Sequence, residues 1–239
     1  MIDLTREGNV FLLTMNDGEN RWNTNFVREF AEALDEVEAS EGPASLVTTS
    51  ATEKFFSNGL DLEWRGSDDA NHRGGDREAF GAEFMYLMGR IITLPVPTIA
   101  AVNGHAFGAG FMCALCHDNR FQRADRGFMC ANEVDIGMVI PNPELALFRH
   151  KMPMNAYLET VIQAKRWAGP QSLEVGIAQQ IEPIDNLLPA AIAKAEELSR
   201  LGANRTVYSK MKEALYGENA VINSLHGPAH MLKNPAQFH

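Results

Sequence analysis

Cysteine is scarce in this chain. Its 239 residues include only Cys113, Cys116 and Cys130. An odd, sparse set inside apolar segments argues against a disulfide framework and for reduced thiols in a reducing compartment. Long apolar runs are missing too. No stretch of 18 apolar residues occurs, which excludes a spanning helix. The charged N-terminal segment lacks an apolar core of signal-peptide length, and the C-terminal Gln237-Phe238-His239 is not a peroxisomal address. A cytoplasmic protein is therefore expected, with no membrane partner. Basic residues are outnumbered, 21 Lys and Arg against 31 Asp and Glu, for a net charge of −10. A nucleic-acid footprint needs the opposite sign. An anionic ligand would likewise need a locally basic site, without help from long-range steering. Internal repeats and low-complexity tracts are also lacking.

What is present is ordinary globular composition, 45% hydrophobic and 22% charged, in a length suited to one large α/β domain or two small ones. Three short apolar runs bounded by turn formers read as strands: 10–15, 45–49 and 98–102. Between the first two, Phe26, Phe30, Leu34 and Val37 fall on one helical face, with Thr24 or Asn25 as the expected N-cap. Before the third, Phe80, Phe84, Leu87, Met88 and Ile91 form a second face, which Pro95 ends. Strands alternating with helices indicate parallel pairing. Residues 66–76 (GSDDANHRGGD) read as a polar loop, either a binding loop or a solvated linker. After Leu145 the pattern is mostly helical, with candidates at 155–167, 189–201 and 204–215. The tail from Gly217 is weakly periodic and is expected either to pack on a neighbouring subunit or to be partly disordered.

Three segments carry the chemistry. The first, Phe55-Phe56-Ser57-Asn58-Gly59-Leu60-Asp61-Leu62, breaks an apolar stretch with Asn-Gly, a sharp turn that can leave amides unpaired. The second, from Pro97 to Gly110, runs a buried strand into a glycine turn and then an apolar helix over 111–116. Its small residues permit close backbone approach, and the first amides of a helix form an anion site. The third, Asn132-Glu133-Val134-Asp135-Ile136-Gly137, follows a β-like run at 127–131. A carboxylate among apolar residues suits a general base; a solvated turn carboxylate is the competing reading.

Taken together, FFSNGLDL, PTIAAVNGHAFGAG and ANEVDIG, in this order and spacing, resemble the enoyl-CoA hydratase/isomerase (crotonase) superfamily over roughly residues 4–191. The resemblance is nearest to its single-glutamate 3-enoyl-CoA isomerases. It implies an α/β fold, a crotonase-like (ClpP/crotonase) spiral of ββα units with a C-terminal helical region: a core at 1–190 and a helical trimerisation region at 191–239. It also implies a homotrimer or homohexamer acting on an acyl-CoA, with CoA as part of the substrate and no separate cofactor or metal. The oxyanion hole maps to the amides of Leu60 and Ala109, the base to Glu133, and substrate contacts to Asn58, Gly59, Gly108 and Met112. The hydratases' first glutamate corresponds to Met112 here, which disfavours hydration by the usual pair and leaves one base to move a proton between two carbons.

Other readings stay open at this point. They are hydration, thioester hydrolysis or dehalogenation with Asp135 or Glu144 as second carboxylate, and a CoA-binding subunit without activity. Phe107 and Val139 are expected to help Met112 shape the acyl pocket. Asp61 reads as a cap or solvated residue, His105 as near-core or ligand-touching, and His226, His230 and His239 as surface. Lys54, Arg65, Lys210 and Lys212 are candidate phosphate partners. Cys113-Ala-Leu-Cys116-His117 also matches a haem attachment pattern or a partial zinc site, and Gly104…Gly108-x-Gly110 a degenerate dinucleotide motif.

Overall fold

The structure is a computed structural model and describes residues 1–67, 73–218 and 226–238. The chain opens with a hairpin, β1 (Ile2–Glu7) and β2 (Val10–Met15), paired antiparallel from Ile2 opposite Met15 to Glu7 opposite Val10. Gly8, at φ +58, supplies the positive φ that a two-residue hairpin turn requires. Then come α1 (Thr24–Ala39) and three successive units of one pattern. In the first, β3 (Ser45–Ser50) and β4 (Phe55–Ser57) lead to α2 (Leu62–Gly66) and α3 (Arg77–Ile92). In the second, β5 (Thr98–Val102) and β6 (His105–Phe107) lead to α4 (Ala109–Cys116). In the third, β7 (Asn119–Arg123) and β8 (Met129–Cys130) lead, through a 3-10 turn at Val134–Ile136, to α5 (Asn142–Lys151). The chain finishes with α6 (Met154–Gln163), α7 (Gly169–Glu174), β9 (Gln180–Glu182), α8 (Ile184–Ser199), α9 (Arg205–Tyr216) and α10 (Pro228–Lys233).

The first strand of each unit joins a six-stranded sheet, ordered β1-β2-β3-β5-β7-β9, and the second joins a three-stranded sheet, β4-β6-β8. Apart from the opening hairpin, every pairing between these strands is parallel. This is the spiral of ββα units that the sequence implies. Strands covered on both faces read as continuous apolar runs, and alternate residues divide the core. Leu46, Ala100 and Val102 point to the main core, whereas Val47, Ile99, Ala101 and Phe121 face α8 through Leu187, Ala191 and Ala195.

Several expected boundaries move. The N-cap of α1 is Asn23, not Thr24 or Asn25; its side chain accepts from Phe26 N at 3.0 Å. The helix expected at 155–167 stops at Gln163, where Ala164 turns left-handed at φ +47. Trp167 instead bridges Met129 as extended chain. The helix expected at 189–201 begins at Ile184 with Pro189 inside it; the carbonyl that Pro189 leaves free belongs to exposed Asp185. Asn204 caps α9, its side-chain Oδ1 accepting from Val207 N. The position 190 division falls within α8. Part of the loop at 66–76 lies outside the described residues, as do 219–225 and His239. The described part of the tail seats on its own chain, because α10 packs against α3 and α5. His226 and His230 are half-buried, with rings stacked at 4.9 Å, rather than fully at the surface.

Candidate active site

The three motif segments leave the three parallel strands of the small sheet at the same end. β4 stops at Ser57 and delivers Asn58, Gly59 and Leu60. β6 stops at Phe107 and delivers Gly108 and Ala109. β8 stops at Cys130 and delivers Asn132 and Glu133. Carboxyl ends of parallel strands are where such sheets place ligands. The register holds the turns together: Phe107 lies opposite Cys130, and Gly108 N donates to Cys130 O at 2.9 Å.

Two amides are left free by this geometry. Trp22 and Leu60 form a parallel bridge in which Trp22 N donates to Gly59 O and Asp61 N donates to Trp22 O. In such a bridge Leu60's own N–H points away from the partner strand, and it donates to nothing among the described residues. Ala109 begins α4, so its N–H has no intrahelical acceptor; it too has no partner among the described residues. The two turns nearly touch. A methyl built on Gly59 (φ +81) would come 2.9 Å from Phe107 O and 3.8 Å from Ala109 N, so only glycine fits there.

Glu133 completes the arrangement. A methyl on Gly108 (φ +49) would lie 3.1 Å from Glu133 Oε1, so the carboxyl rests against the glycine turn. Oε2 is buried and receives no hydrogen bond among the described residues. Burial raises the Glu133 pKa above the usual glutamate value, with a backbone hydrogen bond opposing it. The result is a partly desolvated carboxyl of raised basicity.

Two chambers meet at Leu60, Ala109, Glu133 and Met138. The outer one, about 180 Å³, is bounded further by Arg21, Asn58, Gly59, Phe107 and Gly108. The inner one, about 150 Å³, is walled by Phe80, Phe84, Met85, Val139 and Pro141, with Glu144 as a second carboxyl. Met112 is not in either wall; it is 1% exposed and packed in the core. The expected contact with substrate is thus replaced by a structural position, since the Met112 side chain turns into the apolar layer beneath α4. Asp135 is exposed and lines neither chamber. Asp61 caps α2, accepting from Trp64 N at 3.0 Å.

Arg21 was not singled out by sequence. It sits where Glu19 accepts from both Arg21 (2.6 Å) and Asn58 (2.8 Å). The signal available was the need for a local cation in an acidic chain. Lys212 is no phosphate partner: it is buried, 2.9 Å from Asp118 Oδ2 and donating to Val96 O at 3.1 Å. Lys54 lies over the Phe55 ring, and Arg65 donates to Arg77 O. His105 is half-buried and stacks on Phe107 at 5.1 Å, and burial lowers its pKa. The Cys113, Cys116 and Cys130 thiols are buried, and burial pushes Cys116 up to about 12. His117 is spent within the core, Nδ1 2.9 Å from Cys113 O and Nε2 2.8 Å from Thr48 Oγ1. The haem-like motif is therefore core packing. The spiral topology likewise replaces the dinucleotide reading of the glycines.

A sequence-family model described as Enoyl-CoA hydratase/isomerase matches residues 5–237. The chain belongs to the enoyl-CoA hydratase/isomerase family. Relatives of this hydratase/isomerase chain include the Arabidopsis thaliana proteins named enoyl-CoA delta isomerase 2, peroxisomal, and enoyl-CoA delta isomerase 3. Each is 32% identical over 91% of this chain and 93% of its own. Among solved structures, a probable enoyl-CoA hydratase from Mycobacterium tuberculosis is 26% identical, with a TM-score of 0.76 over 89% of this chain and 86% of that one. An enoyl-CoA hydratase/isomerase family protein from Pseudomonas syringae is 25% identical, with a TM-score of 0.79 over 90% and 91%. The crotonase fold of this family is thereby established for the chain.

Proposed function

We propose that this protein is an enoyl-CoA isomerase of acyl-CoA metabolism that moves a double bond from the 3- to the 2-position of a 3-enoyl-CoA. The observation that carries the reading is the Glu133 carboxyl, its Oε2 buried and unpartnered among the described residues, beside two free amides. The thioester oxygen sits between Leu60 N–H and Ala109 N–H. Glu133 removes a proton from C2, charge spreads onto that oxygen as a dienolate, and in the simplest scheme the protonated Glu133 returns the proton at C4. Amides already aimed at the developing charge need no reorganisation, and losing one such donor costs about 3–4 kcal/mol. The apolar inner wall takes the acyl chain and excludes water, which strengthens the oxyanion contact. Asn58, Gly59, Gly108 and Arg21 face the CoA arm. The curated relatives named delta isomerases support this choice over hydration.

The test follows the conjugated enoyl absorbance with purified protein and 3-enoyl-CoA thioesters of several lengths. Glu133→Gln is expected to lower kcat by roughly 10³-fold, within the range of general acid–base catalysis, and full retained rate would remove the base assignment. Accumulation of a 3-hydroxyacyl-CoA from a 2-enoyl-CoA would replace the reading with hydration.

A trimer or hexamer is part of the proposal. Support comes from an exposed apolar patch running from Val134, Ile136 and Val139 to Leu158 and Ile162 on α6. Patches of this kind mark interaction surfaces. The cytoplasm is proposed as the compartment on the three unpaired thiols; two of the plant relatives carry the word peroxisomal in their names. Among the described residues no helix is long and apolar enough to cross a membrane.

A further inference from the structure

We propose that Glu144 is the acid that protonates C4 while Glu133 is the base at C2, so that two carboxyl groups, not one, carry the double-bond shift; this rests on the isomerase reading above. The geometry is a shared chamber. Glu144 lines the inner cavity together with Glu133, Leu60 and Ala109, and the other walls come from residues such as Phe80, Phe84 and Val139. Glu133 and Glu144 are the only titratable side chains in that wall.

The ordinary structural role for Glu144 is closed. It occupies the third position of α5, where a glutamate folds back onto the N-cap amide. Here the N-cap is Pro141, which has no N–H to offer. The half-buried Glu144 side chain makes no hydrogen bond or ion pair among the described residues. Glu133 Oε2 is likewise unpartnered. Two carboxyls that line one largely apolar chamber disfavour ionising together. The asymmetry of their surroundings decides which keeps the proton. Burial, then the Glu133 charge, pushes Glu144 up to about 8, whereas Glu133 is raised by burial alone. Glu144 is thus the group raised further, which assigns it the acid's role and leaves Glu133 the base's.

The other titratable groups on the elements around Glu144 do not line the chamber; on α5 itself Lys151, pushed down to about 7 by burial, lies over the Tyr216 ring. α4 brings Cys116, held neutral with its pKa at about 12. α10 brings His230, stacked on His226, and Lys233, which donates to Thr93 Oγ1. α6 carries Tyr157 and also Glu159, which pairs with Lys165. On α3, Glu83 is tied to Arg28.

The step balances as follows. The Glu133 carboxylate takes the C2 proton, and the C–H electron pair enters the dienolate. That charge then flows back from the thioester oxygen to form the C2–C3 double bond, and the former C3–C4 pair takes the Glu144 proton at C4. Glu133 ends neutral and Glu144 ends as carboxylate. Transfer of one proton from Glu133 to Glu144 through solvent restores the starting state.

The experiment runs wild type, Glu144→Gln, Glu144→Leu and Glu144→Asp on a 3-enoyl-CoA in D₂O, reading deuterium at C4 by mass spectrometry and NMR. Wild type is expected to place solvent deuterium at C4 in most turnovers, and its kcat to fall as pH rises past about 8, where the acid form is lost. Glu144→Gln and Glu144→Leu are expected to lose roughly 100-fold in kcat and the alkaline limb, and to carry the C2 hydrogen to C4 in the turnovers that remain. Glu144→Asp is expected to regain part of the rate and the solvent label. A Glu144→Gln enzyme with wild-type rate and labelling overturns the proposal, as does a wild type with neither C4 solvent label nor an alkaline limb; the latter needs no variant to fold. Failure of the isomerase reading looks different: wild type would then not move the double bond at all.

Discussion

At the scale of the residue, Gly108 positions the Glu133 carboxyl on which the proposed chemistry depends. Gly108 adopts φ +49 and ψ −118, a region that L side chains reach only under strain, at a cost of roughly 1–3 kcal/mol. It also gives the Glu133 carboxyl its resting place. Gly108→Ala is therefore expected to lower thermal stability by about that amount and to cut kcat/KM at least roughly tenfold through displacement of the base, with melting curves and steady-state kinetics as the check. Wild-type kinetics in this variant would show that the carboxyl does not depend on the turn. The acid limb follows from the raised Glu133 pKa. Its active form is the carboxylate, so the rate rises with pH through a midpoint above the ordinary glutamate value and loses that limb in Glu133→Gln.

At the scale of the element, α9 is anchored by an ion pair that sequence alone offered as a phosphate contact. Lys212 reaches the end of β5's entry turn, bonding Val96 O and the Asp118 carboxylate, which also accepts from Thr98 N at 2.9 Å and Tyr208 Oη at 3.2 Å. Burial works to raise the Asp118 pKa, but the Lys212 and Lys151 charges and the hydrogen bonds from Lys212 and the Thr98 amide outweigh it and hold it low. Because the folded value is depressed, this contribution to stability is present above the unfolded aspartate value near 3.9 and is lost as pH falls through the folded one. Lys212→Met should destabilise the protein by about 3 kcal/mol, since it leaves a buried carboxylate unpaired. Adding Asp118→Asn should recover part of the loss, and urea denaturation of the single and double variants measures both. If the single variant unfolds like wild type, the pair is not an anchor of α9.

At the scale of the whole molecule, three turns of one spiral bring three distant segments to one edge, and the same edge continues into an exposed apolar surface. Val139 is 87% exposed and Ile162 65%, in a patch that adjoins the inner chamber through Met138 and Val139. A second copy covering this patch would also close the acyl pocket. Ile162→Glu is expected to shift the sedimentation coefficient to a smaller species and to weaken activity, while the circular dichroism spectrum stays that of the folded chain. An unchanged sedimentation profile would place the interface elsewhere.

Much of this was already written in the chain. Turn chemistry and periodicity act between residues a few positions apart, so FFSNGLDL, the glycine turn before α4 and the Glu133 segment were legible, as were β2, β3 and β5 and the apolar faces of α1 and α3. The resemblance also set Met112 against the hydratases' first glutamate, and with it the expectation of moving a proton rather than adding water. Tertiary structure decided what depends on groups far apart in sequence. The Leu60 amide is free because Trp22 bridges beside it. Lys212 is an anchor because Asp118 lies against it, and α10 folds back onto α3 and α5. Glu144, one of two carboxylates left open by sequence, shares a chamber with Glu133 while Asp135 is exposed. A proton's affinity for a carboxyl is set by what surrounds it in space, and that environment exists only after the spiral has closed.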